Sequence, residues 1–180
     1  MLVFCYNLFV MNMKVEKIVV GNLEENCYVV ANEKKEALVI DPGDEADKIL
    51  TFLKPYHVVG ILVTHYHFDH VGALEELETF YSLKANVKSC VFDYEVIKTP
   101  GHTSDSISFY FPELGCVFVG DFIFKDGIGR TDLGGNDFEM KESIQMFLKR
   151  FSDNTVLYPG HGVSTTLGTE RRFLEYIKSN

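Results

Sequence analysis

Three of the chain's six histidines fall inside one window, His65-Tyr66-His67-Phe68-Asp69-His70. Four side chains of ligand type in six positions, straight after the apolar run at 60–64, are more than a polar loop gathers by accident. Residues two apart in extended chain point to the same side, so His65 and His67 leave the strand end together. As the chain turns into the amphipathic stretch that follows, Asp69 and His70 reach the first helical turn and face the same space. Imidazoles and a carboxylate converging on one point suit zinc, iron or manganese.

Two further histidines stand in matching contexts, Pro100-Gly101-His102-Thr103 and Pro159-Gly160-His161-Gly162, each behind an apolar run. Pro-Gly ends a strand sharply and presents the next side chain at its edge, where α/β proteins build sites. Between them Gly120-Asp121 closes the run CVFV, which delivers another carboxylate at a strand terminus; taken alone, Asp121 reads equally as a turn cap. His57 has no ligand-type neighbour and reads as an exposed or satisfied structural histidine.

The elements that must position these residues follow from periodicity. Short β-branched runs bounded by Gly, Asn, Asp or Pro predict strands at 15–21, 26–31, 37–40, 60–64, 94–99, 106–111, 116–120 and 155–159. Helical spacing predicts helices at 46–54, 71–80, 137–150 and 169–178, the third capped by Asn136 with Glu139 three residues on. No linker or repeat interrupts them, so residues 15–180 read as one α/β domain behind an N-terminal extension, 1–14. That extension is apolar but has no preceding base, no small-residue cleavage site and too few residues to span a membrane; the working start is expected at Met11 or Met13.

The chain has 180 residues and a net charge of −9, with 46% hydrophobic and 24% charged residues. This is ordinary globular composition with room for a core. Excess negative charge without a Lys/Arg run argues against nucleic-acid binding. Cys5, Cys27, Cys90 and Cys116 form no C-x-x-C pair and read as reduced, mostly buried thiols of a cytoplasmic protein that does not bind membranes.

In order along the chain, Thr-His65-x-His67-x-Asp69-His70, Pro-Gly-His102-Thr, Gly-Asp121 and Pro-Gly-His161-Gly resemble the metallo-β-lactamase superfamily over residues 15–165, most closely its glyoxalase II (hydroxyacylglutathione hydrolase)-like branch. The resemblance implies a four-layer αββα sandwich, here shortened, with metals at one edge. It implies that His65, His67 and His102 bind a first metal, that Asp69, His70 and His161 bind a second, and that Asp121 bridges them with a hydroxide. Zinc is the first expectation, and iron or manganese fits the same ligands. The reaction implied is hydroxide attack on a thioester or ester, with Asp69 also orienting the nucleophile. Two dications against two carboxylates and a hydroxide leave a centre of about +1, which draws an anionic small-molecule substrate.

Arg130 falls where glyoxalase II proteins carry a base for the substrate carboxylate, the alternative being a surface pair with Asp132 or Asp126. Asp41, in Ile-Asp-Pro-Gly, matches a position behind the ligands, a strand-ending turn being the alternative. The Gly-Arg-Thr-Asp string also resembles the persulfide dioxygenase branch, which binds one iron through the positions of His65, His102 and Asp121. A metal-binding module without turnover is the reading from a different class; seven ligands and a bridging position count against it. Only 31 residues separate His70 from His102 and only 19 follow His161, so the substrate surfaces of full-length glyoxalase II are expected to be missing, leaving an open site or one completed in a homodimer.

Overall fold

Alternating apolar side chains build two sheets, and each sheet buries both faces. The computed structural model describes residues 12–179. The first eleven residues, which carry most of the expected extension and the alternative start at Met11, lie outside the described residues. Strands β1 (Lys14–Val20), β2 (Glu25–Ala31), β3 (Glu36–Ile40) and β4 (His57–Leu62) form the first sheet in sequence order. The β1/β2 and β2/β3 pairs are antiparallel; helix α1 (Ala46–Leu53) makes the crossover that sets β4 parallel to β3. Short α2 (Phe68–Val71) and α3 (Leu74–Tyr81) follow.

The second sheet holds β5 (Glu95–Lys98), β6 (Ile107–Phe111), β7 (Cys116–Gly120), β10 (Val156–Pro159) and β11 (Thr165–Thr166), in the order β11-β10-β7-β6-β5. A small hairpin of β8 (Ile123–Phe124) and β9 (Gly127–Ile128) stands apart. Helix α4 (Asp137–Arg150) crosses over so that β10 runs parallel to β7, and α5 (Leu167–Ser179) closes the described chain.

Period-two alternation sorts the core into three apolar layers. Tyr28, Val30, Leu38, Ile40 and Leu62 meet Phe92, Tyr94, Phe109, Phe111 and Phe118 between the sheets. The opposite face of the first sheet, Cys27, Val29, Val39 and Ile61, packs on Ile49 and Leu53 of α1 and Leu77 of α3. The outer face of the second, Val117, Val119 and Leu157, packs on Ile144 and Phe147 of α4 and Leu174 of α5. The result is the αββα sandwich.

Differences from the sequence-based boundaries have local causes. The strand expected at 60–64 begins at His57 and stops at Leu62, because Val63 and Thr64 give their N–H groups to the side chains of Asn86 and Asp41 instead of to a ladder. The helix expected at 71–80 is broken near Gly72: a Cβ there would lie 2.3 Å from the Gly43 carbonyl oxygen, and Ala73 N–H donates to Pro42. Asn136 caps α4 as expected, accepting from Phe138 N and Glu139 N, while its own N–H donates to Gly101. Cys27 and Cys116 are buried, Cys90 is exposed and all three are free thiols; Cys5 lies outside the described residues. His57 is exposed. Among the described residues no helix is long and apolar enough to cross a membrane.

Candidate metal centre

The ligand-type residues sit where strands end. Strand β4 leads into the His65 window, α2 carries Asp69 and His70, and the turns after β5, β7 and β10 carry His102, Asp121 and His161. Because β7 and β10 are parallel and paired through Gly120 and Pro159, Asp121 and His161 leave the same end of the second sheet. Gly120 takes φ +52°, and a Cβ there would lie 2.3 Å from Thr64 Oγ1. Each turn is held from a distance. Asn26 N–H donates to Gly160, Asn26 Nδ2 to Pro159 and Gly162, and Tyr28 OH to Pro159. Ser143 Oγ donates to Pro100, and Gly160 N–H to Gly120.

These placements bring all seven residues together. His65 Nε2 and His102 Nε2 lie 3.1 and 2.9 Å from His67 Nδ1. Asp69 Oδ2 is 3.3 Å from His161 Nε2. Asp121 faces both groups: Oδ1 is 3.3 Å from His70 Nε2, and Oδ2 is 3.5 Å from His102 Nε2 and 3.7 Å from His161 Nε2. The ligand atoms within each of the sets His65/His67/His102, Asp69/His70/His161 and His65/His70/Asp121 lie within 4.8 Å of one another.

The other nitrogen of every imidazole is spoken for. His102 Nδ1 donates to the Arg130 carbonyl at 2.6 Å, His161 Nδ1 to Leu23 at 3.0 Å and His67 Nε2 to Leu133 at 3.3 Å. His70 Nδ1 donates to Asp41 Oδ2 at 3.1 Å. Thr64 Oγ1 donates to Asp41 Oδ2 at 2.7 Å and so accepts from His65 Nδ1 at 3.1 Å. These outward acceptors fix the protons of His65, His67 and His102 outward, so their inward nitrogens present lone pairs to one another. Three lone pairs about 3 Å apart repel unless a cation sits between them, and tetrahedral zinc–imidazole bonds of about 2.0–2.1 Å would separate the nitrogens by roughly 3.3 Å.

Burial and charge fit the same conclusion. Among the described residues, the buried side-chain polar atoms without a hydrogen-bond partner are His70 Nε2, Asp121 Oδ1 and both oxygens of Glu25, all at this centre. His70 Nε2 and Asp121 Oδ1 are close enough to attract each other but are not aligned as a hydrogen bond. Nothing larger than glycine fits at position 160, where a Cβ would lie 2.4 Å from Asp121 Oδ1 and 2.5 Å from His70 Cε1.

Burial, with help from the neighbouring His70 charge, pushes His65 down to about 2 and keeps it neutral; burial also lowers His102. Burial opposes charge on His70 and Asp121, but their mutual contact, with Asp41 on His70, raises the first well above the usual imidazole range and holds the second at about 2. Burial and the nearby Asp41 raise Glu25 to about 10. Asp41, Asp69 and Asp121 gathered around His70, with a protonated Glu25 beside them, are a charge pattern that dications balance.

Arg130 does not reach the ligands with its side chain. Its guanidinium makes a two-point, exposed pair with Asp132 at 2.6 Å, and its carbonyl is what serves the centre. Asp41 lies behind the ligands, joining His70 to Thr64. Sequence reading missed Glu25 and Asn26 as parts of the centre, the one available signal being two polar residues opening the otherwise apolar run of β2, and it named Thr64 only as the residue leading the first motif, without a role. A surface hollow of about 480 Å³ beside Lys14, Asn32 and Tyr56 shares no residue with the centre.

The family model for the metallo-beta-lactamase superfamily matches residues 20–83 and 91–161. The hydroxyacylglutathione hydrolase GloC of Haemophilus influenzae is 28% identical, covering 93% of this chain and 99% of its own. The crystal structure of the B3 metallo-beta-lactamase BLEG-1 is similar with a TM-score of 0.86 and 28% identity, covering 91% and 99%. That of TTHA1623 in a di-iron-bound form is similar with a TM-score of 0.78 and 30% identity, covering 87% and 97%.

Proposed function

This chain belongs to the metallo-beta-lactamase superfamily; we propose that it is a metal-dependent hydrolase that cleaves a small thioester or ester at a centre of two divalent cations. The observation that carries this reading is the set of five imidazoles, each with one nitrogen donating outward and the other aimed at a shared space with Asp69 and Asp121. A structural zinc site closes with four ligands, whereas seven ligands in two groups around a common carboxylate suit a catalytic pair. His65, His67 and His102 would hold one ion, and Asp69, His70 and His161 the other, with Asp121 between. The Haemophilus influenzae relative, named for acting on an acylated glutathione, supports an acyl–sulfur substrate. Zinc is the proposed metal; the di-iron form of a similar structure keeps iron in the test.

When bound, such ions polarise a carbonyl and lower the pKa of water toward neutrality. The chain's own groups supply position. Arg130 and Leu133 carbonyls, Asp41 and Thr64 hold the imidazoles in one tautomer, so no reorganisation is needed during reaction. Asp69, half buried beside His161, is proposed to orient the attacking water by accepting one of its hydrogens. Water adds to the carbonyl carbon, the carbon–sulfur bond breaks, and products are a carboxylate and a thiol. The local positive charge favours a polarised or anionic group at the reacting end of a small molecule.

Elemental analysis of the purified protein, paired with thiol release from a small acyl thioester, tests this. About two ions per chain and loss of turnover in His67→Ala are expected. One tightly held iron with oxygen consumption on glutathione persulfide would make it a dioxygenase, and bound metal with neither activity a binding module.

A further inference from the structure

Exposed apolar residues stand close to the ligands along the chain. Tyr66 and Phe68 alternate with the ligands of the first window and are 58% and 76% exposed, and Leu23, Leu133 and Val163 are each more than half exposed. Leu23 and Leu133 are the residues whose carbonyls hold His161 and His67. Val163 stands two residues after His161, and the Phe124 ring lies 6.3 Å from the His161 imidazole. Single exposed apolar side chains need no explanation, but four of the eleven large ones exposed among the described residues adjoin a ligand in the chain or carry its carbonyl partner, and a fifth, Val163, is two residues from His161. Two bases beside this rim are already engaged, Arg130 with Asp132 and Lys17 Nζ with the Gly162 carbonyl at 2.9 Å.

We infer that this rim is the acyl subsite, and that the substrate carries an apolar chain or ring of several carbons next to its scissile carbonyl. The inference rests on the hydrolase reading above and narrows it. Tyr66 and Phe68 flank ligands in the chain, Leu23 and Leu133 are tied to two imidazoles through their carbonyls, and the Phe124 ring lies 6.3 Å from His161, so a group a few bonds from a carbonyl at the centre is within reach of this rim. An apolar acyl group buries surface there, whereas a charged one loses water and finds the nearby guanidinium paired. The polarised end of the substrate faces the ligands, and the apolar end faces Leu23, Phe68 and Val163.

The test compares acetyl, butanoyl, hexanoyl and succinyl thioesters of N-acetylcysteamine with the metal-loaded protein. Each methylene on a half-open surface should add about twofold to kcat/KM, so hexanoyl should exceed acetyl by about tenfold or more, with succinyl at or below acetyl. Phe68→Ser and Leu23→Ser should each cut the hexanoyl-to-acetyl ratio at least threefold; both positions are exposed, so neither change threatens folding. Calorimetric binding of hexanoate and acetate gives a second readout independent of turnover. Thioester cleavage that ignores acyl length would overturn the inference and leave the hydrolase reading standing. Tighter hexanoate binding, lost in Phe68→Ser, with no thioester cleaved would overturn the hydrolase reading and support the rim as a ligand surface. A dimer in sedimentation that Phe68→Ser dissociates would make the rim an interface and sink the inference.

Discussion

Asp41→Asn removes one negative charge and substitutes an NH2 for one acceptor without changing shape. Asp41 is buried at the end of β3, where Oδ1 accepts from Thr64 N at 2.7 Å and Oδ2 accepts from Thr64 Oγ1 at 2.7 Å and His70 Nδ1 at 3.1 Å. Its φ is +51°, a conformation that asparagine tolerates as well as aspartate, so the substitution adds no backbone strain. If the amide oxygen keeps Thr64 N, the new NH2 faces two donors. Thr64 can rotate its hydroxyl, but His70 can comply only by moving its proton to Nε2, the nitrogen aimed at Asp121.

Losing a hydrogen bond to a charged acceptor costs about 1.5–3 kcal/mol, which at about 1.4 kcal/mol per decade is roughly a ten- to hundredfold weaker hold on the second ion. The ion that His67 and His102 would share depends on the Leu133 and Arg130 carbonyls and should weaken less than about threefold. Stepwise zinc titration of chelator-treated protein against a competing chelator, with ions counted by mass spectrometry, separates the two constants. Equal weakening of both, or an unchanged second constant, would refute the idea that Asp41 fixes the His70 tautomer.

Arg130→Ala should change kcat/KM by less than about threefold, since an exposed pair contributes about 0–1 kcal/mol and the carbonyl that holds His102 remains; a tenfold loss confined to anionic substrates would return Arg130 to substrate binding. In metal-free protein Glu25 keeps its proton to about pH 10 when folded but releases it near the ordinary carboxylate value of 4.5 when unfolded. Its raised folded pKa therefore contributes stability below pH 4.5 that is lost as pH rises, at no more than about 1.4 kcal/mol per pH unit. The stability gap between Glu25→Gln and the parent, from urea melts at pH 5 to 9, should shift steadily in favour of the variant, and a constant gap would contradict a protonated Glu25. Phe118→Ala should cost about 3–5 kcal/mol in urea unfolding, because Phe118 is fully buried between the sheets and stacks on Tyr158 at 5.0 Å; a cost below about 1 kcal/mol would mean that the layer repacks.

Most strands, the four longer helices and the identity of the ligand-type residues were legible in the sequence. β-Branched alternation, the Asn136 cap and the His65-x-His67-x-Asp69-His70 spacing are all written within a few residues of one another. Two-residue strands β8, β9 and β11 were not legible, because a period cannot be read from one repeat. The break at Gly72 was missed because the Gly43 carbonyl that forces it lies almost thirty residues away.

By itself the sequence determined which ligand-type side chains are present and how closely they follow one another, since side-chain chemistry and short spacing are local properties of the chain. Tertiary structure alone decided how that centre is held. His67 aims Nδ1 inward because Leu133 takes its Nε2 proton from 66 residues away, and His161 is fixed by Leu23 across 138 residues. Arg130 turned out to serve through its carbonyl, and Glu25 to be buried beside His70 without a hydrogen-bond partner for its carboxyl. Such arrangements depend on which carbonyls and carboxyls the closed sandwich shuts away from water, and no spacing along the chain encodes that.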